Sequence, residues 1–227
     1  MTVSSAAHTD NTQVELLLVD NRQLVRAGIQ RVLEDAGYPI FSGEAASCGE
    51  ALRLICGRQP GIVLVNLHAS AIDVLDGVRN IRRQMPSVRV LVLTEESDLI
   101  VLERLLQTGV SGCICSRCSV EEMLAAIEAV LGGEQYVSEV LAQKLSERRL
   151  LENGNSVFDH LTHRELQILL LLAQGKKTSV IARDLCLTRK TVNGHRSRLL
   201  EKLHAETDVE LMHIAARHGL VSVQGAE

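Results

Sequence analysis

At 227 residues the chain has room for one large and one small domain. It is 46% hydrophobic and 23% charged but only 2% aromatic, so it can build packed cores, and those cores must be aliphatic. Its net charge of −4 is uneven, with 14 Lys/Arg against 20 Asp/Glu in residues 1–157 and 10 against 7 in residues 158–221, and this suits an acidic regulatory part joined to a part that meets nucleic acid.

The opening MTVSSAAHTDNTQ has neither the basic flank nor the apolar segment of a signal peptide and reads as a loose polar tail. No apolar run approaches the roughly 20 residues of a membrane span, so a cytoplasmic protein without a membrane partner is expected. VELLLV (14–19) then predicts a strand, followed by a helical pattern through Leu24, Ile29 and Leu33. IVLV (62–65) and VRVLVL (88–93) predict two more buried strands, and weaker ones fall near 40–45 and 112–115, each with a helical pattern after it. Five alternations of strand and helix predict an α/β domain, a five-stranded parallel sheet with helices on both faces. In such sheets the working site lies at the carboxyl ends of the strands, where this chain carries Asp20, Asn21, Asn66, Thr94 and Ser116.

A helix near 137–150 follows, and then LENGNSVF, whose Asn-Gly-Asn-Ser core is turn or linker chemistry. Thr162 with Glu165 three residues later is a capping box, so a helix starts there, with Leu166, Leu169, Leu170 and Ala173 as its buried stripe and Gly175 at its end. Thr178 opens a second helix with Ile181 and Leu185 facing inward. Thr188 caps a third, on which Val192, Leu199 and Leu203 face inward while Lys190, Thr191, Asn193, Gly194, Ser197 and Arg198 share the other side. That helix also carries Arg189, Arg196 and Lys202, and Gly194 costs it about 1 kcal/mol against alanine. An all-α scaffold presenting one basic helix is what insertion into a DNA major groove requires, so double-stranded DNA is the expected partner.

The six cysteines lie in or beside apolar segments and read as thiols. Cys113, Cys115 and Cys118 form CICSRC, which suits compact apolar filling, with a redox or thiophilic-metal sensor as the alternative. A second CxxC or a histidine pair, which a zinc site needs, is missing. There is no glycine-rich phosphate loop, nucleophile elbow or HExxH, so no enzyme activity, cofactor or metal is expected.

Residues 161–220 resemble the LuxR-type helix-turn-helix of the NarL/FixJ response regulators, and DVELMHIAARHGL (208–220) resembles their GacA/UvrY/LetA branch. The resemblance implies that Lys190, Thr191, Arg196, Arg198 and Lys202 hold phosphates and that Asn193, Gly194 and Ser197 face base edges. It also makes a closing helix at about 207–218 the contact of a homodimer on a palindromic site.

VELLLVDNRQLVRAGIQRVLE and GVSGCICSRCSVEEMLAAIEAVLGGEQYVS resemble the first and last strand–helix pairs of a two-component receiver domain. Such a pocket holds Mg²⁺ on two acids after the first strand, takes phosphate on an aspartate after the third, and completes the site with a Thr/Ser and a lysine. The corresponding positions here are Asp20 and Asn21, then Asn66, Thr94 and Ser116. A carboxamide cannot replace the nucleophilic carboxylate, Asn21 offers a hard cation a neutral oxygen, and Ser116 lacks the lysine charge. Asp73 is the nearest aspartate after Asn66, and weak Mg²⁺ binding at Asp20 without turnover is a lesser alternative.

The resulting expectation is a tail (1–12), a receiver-like domain (13–135), a helix and linker (136–157), a DNA-binding domain (158–221) and a second tail (222–227). The expected function is transcriptional regulation with a receiver that takes no phosphate, its output constitutive or set by protein level, ligand or partner. Two alternatives stand beside it: an antagonist forming mixed dimers with a related response regulator, and a regulator responding to thiol or metal chemistry at Cys113, Cys115 and Cys118.

Overall fold

The computed structural model describes residues 15–37, 45–55, 60–66, 71–96, 99–151, 156–218 and 220. The chain divides into two compact units, Met1–Thr94 with Leu105–Val137, and Glu95–Arg104 with Ser138–Glu227.

The near-continuous apolar runs of the first unit become strands β1 (Leu16–Val19), β2 (Ile62–Asn66), β3 (Arg89–Thr94) and β4 (Gly112–Cys115), with a two-residue β5 (Tyr136–Val137) at one edge. They form one parallel sheet in the order β1-β2-β3-β4-β5. Helices α1 (Gln23–Asp35), α2 (Cys48–Ile55), α3 (Ala71–Gln84), α4 (Leu99–Gln107) and α5 (Val120–Leu131) alternate with the strands. Successive side chains of a strand point to opposite faces. On one face Leu16, Leu18, Ile62, Leu64, Leu91, Leu93 and Ile114 pack with Leu33 of α1 and with Met123, Ala126, Ile127 and Val130 of α5. The intervening residues Leu17, Val19, Val63, Val65, Val90, Val92, Cys113 and Cys115 are buried as well. A sheet covered on both sides explains why these strands lack polar alternation.

Short pairings lie at both edges of this sheet. The strand expected at 40–45 lies outside the described residues except for Ala45, which pairs in parallel with Val19 on the far side of β1. That pairing uses the Asp20 N–H to the Ala45 carbonyl at 3.1 Å and the Ala45 N–H to the Leu18 carbonyl at 3.4 Å. At the other edge β5 is a strand without a sequence signal, because two residues are too few to set up a periodicity. It aligns with β4 through Gly112 and Tyr136, and a Cβ at Gly112 would stand 2.8 Å from the Tyr136 carbonyl oxygen. Only glycine allows the two strands to approach there.

In the second unit, α6 (Glu139–Leu151) is followed by α7 (His163–Ala173), α8 (Thr178–Asp184), α9 (Arg189–Lys202) and α10 (Asp208–Arg217). The capping box forms as expected: the Thr162 hydroxyl accepts from the Glu165 N–H, and the Glu165 carboxylate accepts from the Thr162 N–H at 2.8 Å. The expected one-sided stripe of α7 is not what forms. Glu165 to Leu172 are all buried, Gln167 included, because α7 packs against α9 and α10 and also meets α8. The chain leaves α7 through Gly175, whose φ of +75° is a conformation that glycine adopts without strain. Among the described residues no helix is long and apolar enough to cross a membrane.

Candidate nucleic-acid interface and receiver cleft

Helix α9 starts at Thr188, whose extended backbone (φ −80°, ψ 153°) lets its hydroxyl accept from the Thr191 N–H at 3.1 Å. Val192 and Leu199 are fully buried and Leu203, at the C-cap, nearly so, which fixes the roll of the helix. Positions three and four apart share a helix face. Lys190, Thr191, Asn193, Gly194, Ser197 and Arg198 accordingly lie together on the exposed side. A Cβ built on Gly194 meets nothing within 4 Å, so its missing side chain answers no packing need inside the domain. Ser197 turns its hydroxyl back to the Asn193 carbonyl at 3.1 Å, and Thr191 and Thr188 share a hydroxyl–hydroxyl bond of 2.9 Å. Lys190 and Arg198 make no ion pair with another side chain among the described residues.

The remaining two cations of the expected set are engaged within the domain. Arg196 donates its Nε–H to Asp208 of α10 at 2.6 Å. The Lys202 ammonium lies 2.7 Å from the Glu165 carboxylate and 2.9 Å from the His160 carbonyl. Burial works against ionisation of Glu165, but the Lys202 hydrogen bond, the Thr162 N–H and hydroxyl, and the Lys202 charge outweigh it and hold the carboxyl below its ordinary range. The sequence offered a sign of both pairs, since each acid opens a helix and positive helix ends favour acids. Helical spacing alone did not indicate that they would meet these bases.

In the first unit, the carboxyl ends of β1 and β2 border a cleft of about 180 Å³ lined by Asp20, Asn21, Ser47, Cys48, Asn66 and Asp73, with Val19, Val65, Val74 and Ala46 as its apolar walls. Asp20 and Asn66 are buried, whereas Asn21 is exposed. Thr94 and Ser116 do not line this cleft. They lie at the ends of β3 and β4, joined by the Ser116 N–H to the Thr94 carbonyl at 2.8 Å. Sequence reasoning missed Arg22. Its N–H and Nε–H donate to Asp20 Oδ1 at 2.7 and 3.2 Å, and its Nη2 lies 3.0 Å from Oδ2. Arg26 donates to the Asp20 carbonyl from the next turn of α1.

Cys113 and Cys115 alternate with Ile114 on β4, while Cys118 packs on the α1–α5 face with Ile114, so the three thiols do not share one side of the sheet. Burial pushes the Cys113 thiol up to about 12, and burial with the nearby Asp73 charge does the same for Cys48. No His/Cys/Asp/Glu group suited to a metal ion occurs among the described residues.

Residues 159–215 match the bacterial regulatory proteins of the luxR family, and residues 16–128 match the response regulator receiver domain. The response regulator UvrY of Escherichia coli K12 is 36% identical over 213 residues, covering 93% of this chain and 97% of its own. The response regulator GacA of Pseudomonas aeruginosa is 38% identical over 210 residues, covering 92% and 98%. The RcsB response regulator of Salmonella typhimurium shares the fold at a TM-score of 0.69 and 21% identity, over 91% of this chain and 98% of that one. RcsB has also been solved as dimers bound to DNA, a structure that aligns at a TM-score of 0.57 and 20% identity over 90% of this chain and 98% of that one. The chain therefore belongs to the response regulators that join a receiver domain to a LuxR-type helix-turn-helix, and it is a DNA-binding regulator of transcription.

Proposed function

We propose that this regulator works without phosphorylation of its receiver and binds DNA as a homodimer on a two-fold site. The observation that carries the first part is Asn66, a buried carboxamide at the end of β2 where the family's acceptor carboxylate belongs. An amide is not a usable nucleophile toward a phosphoryl donor, and Ser116 supplies no cation to neutralise one. With Asn21 and Asn66 both neutral, Asp20 and the nearby Asp73 are the acids left at the cleft.

For DNA, the exposed set Lys190, Thr191, Asn193, Gly194, Ser197 and Arg198 supports a division of labour. Lys190 and Arg198, with Arg189 beside them, meet phosphates, while Asn193, Gly194 and Ser197 face base edges. Thr188 sets the start of the helix, and Arg196 and Lys202 hold it in place through Asp208 and Glu165. We take residues 13–135 as the receiver, 136–157 as connecting helix and linker, and 158–221 as the DNA-binding domain, with α10 as the dimer contact.

The test is incubation of the full chain with acetyl phosphate and Mg²⁺, read by intact-protein mass at neutral pH. The expected result is no mass increase of one phosphoryl group. A hydroxylamine-labile adduct would overturn the reading, and peptide mapping would then decide whether Asp20 or Asp73 had carried it.

A further inference from the structure

We propose that Arg22 is a resident counter-ion of the receiver cleft, seated on the carboxylate a divalent cation would need and neutralising that carboxylate without metal. The inference deepens the reading of a receiver that takes no phosphate, and it rests on that reading for the meaning of the cleft.

The local chain explains how the arginine reaches its place. Arg22 is the N-cap of α1, with φ −94° and ψ 105°, and its side chain makes no capping bond. Its N–H donates to Asp20 Oδ1 two residues back, a turn that aspartate favours. That turn brings the guanidinium over the same carboxylate, with Nε on Oδ1 and Nη2 on Oδ2. The paired geometry is the strong form of an arginine–carboxylate contact. Asp20 is 4% exposed and Arg22 39%, so a buried acid is neutralised by a cation that is itself only partly buried. A buried carboxylate without a partner is strongly destabilising, so the pair has a structural reason to form.

The same geometry tests the cleft against Mg²⁺, which the family's receivers hold. Mg²⁺ needs a tight octahedron of oxygen ligands and prefers carboxylates. Both Asp20 oxygens already accept hydrogen bonds from Arg22, and its main-chain carbonyl accepts one from Arg26. Asn21 and Asn66 offer neutral amide oxygens, and a guanidinium next to the site repels any cation. The residues present do not fit the ion. Loss of the acids is therefore one barrier, and Arg22 is a second, independent one.

The experiment compares two versions of the full chain, Asn21→Asp with Asn66→Asp, and the same pair plus Arg22→Gln. Mn²⁺ binding is followed by electron paramagnetic resonance of the free ion. With Arg22 in place the two restored acids should bind Mn²⁺ at least tenfold more weakly than when Arg22 is glutamine. A smaller difference overturns the proposal. If the triple variant does not fold, the wild-type chain gives the answer by ¹⁵N NMR. The Arg22 Nε–H should be protected from solvent exchange and lose that protection in Asp20→Asn. An unprotected Nε–H in the wild type overturns the proposal. Neither readout involves phosphate, so a phosphorylated wild type would refute the earlier reading and leave this one to be judged by the metal.

Discussion

Lys202 stands on the helix expected to meet DNA, yet its ammonium is held 2.7 Å from a carboxylate that is only 2% exposed. The pair joins the last turn of α9 to the first turn of α7, which are the ends where a cation and an anion respectively suit the helix dipoles. Lys202→Met strands Glu165 in a buried site. The lysine is a third exposed, so a discounted cost of about 1–3 kcal/mol is expected in urea unfolding of the full chain. The pH dependence follows from the same contact. Glu165 ionises below its ordinary value when folded, so the unfolded chain binds its proton first as pH falls. Its stabilisation is complete above the unfolded value of about 4.3 and is lost as pH drops through the lowered folded value. Lys202→Met should flatten that acid-side loss of stability, and an unchanged slope from about pH 5 to 3 would show that the pair is not the cause.

At the level of elements, what could be read from sequence was whatever repeats over many residues or uses local chemistry. The four buried runs, the Thr162–Glu165 capping box, the Thr188 cap and the inward set Val192 and Leu199 all formed. What escaped was set by partners distant in the chain. The two residues of β5 become a strand through alignment with Gly112 and Cys113, and the burial of α7 on every side arises from the helices around it. Arg22 escaped because helical spacing gives no reason for a cap residue to fold back on a strand end. The junction of α2 and α3 is of the same kind: a Cβ on Gly77 would stand 2.0 Å from the Cys48 Cβ and 2.6 Å from its sulfur. Gly77→Ala must push the two helices apart, for which about 1–3 kcal/mol is expected from overpacking, with more if they cannot move. Cys48→Gly in that background should restore part of the loss, although each change alone destabilises. Thermal unfolding of the four proteins in the cycle would measure it, and additive losses would place the clash elsewhere.

Across the whole molecule the charge is divided, with an excess of acids in residues 1–157 and of bases in 158–221, although the chain as a whole carries −4. Affinity for DNA then depends on a few well-placed cations instead of a general positive field, and counterion release counts how many there are. On α9 the candidates are Arg189, Lys190 and Arg198, all exposed, because Arg196 and Lys202 already answer Asp208 and Glu165. In the proposed dimer that makes about six phosphate contacts, or a slope near −5 when log K is plotted against log salt on a specific duplex. Lys190→Ala removes one contact per subunit and should make the slope shallower by about 2. Lys202→Ala should leave the slope unchanged while lowering stability, since its charge is spent on Glu165. Fluorescence anisotropy from about 50 to 200 mM salt separates the two variants. Equal losses of slope would mean that Lys202 leaves Glu165 for a phosphate when DNA binds, and the division between gripping and bracing residues on α9 would then have to be abandoned.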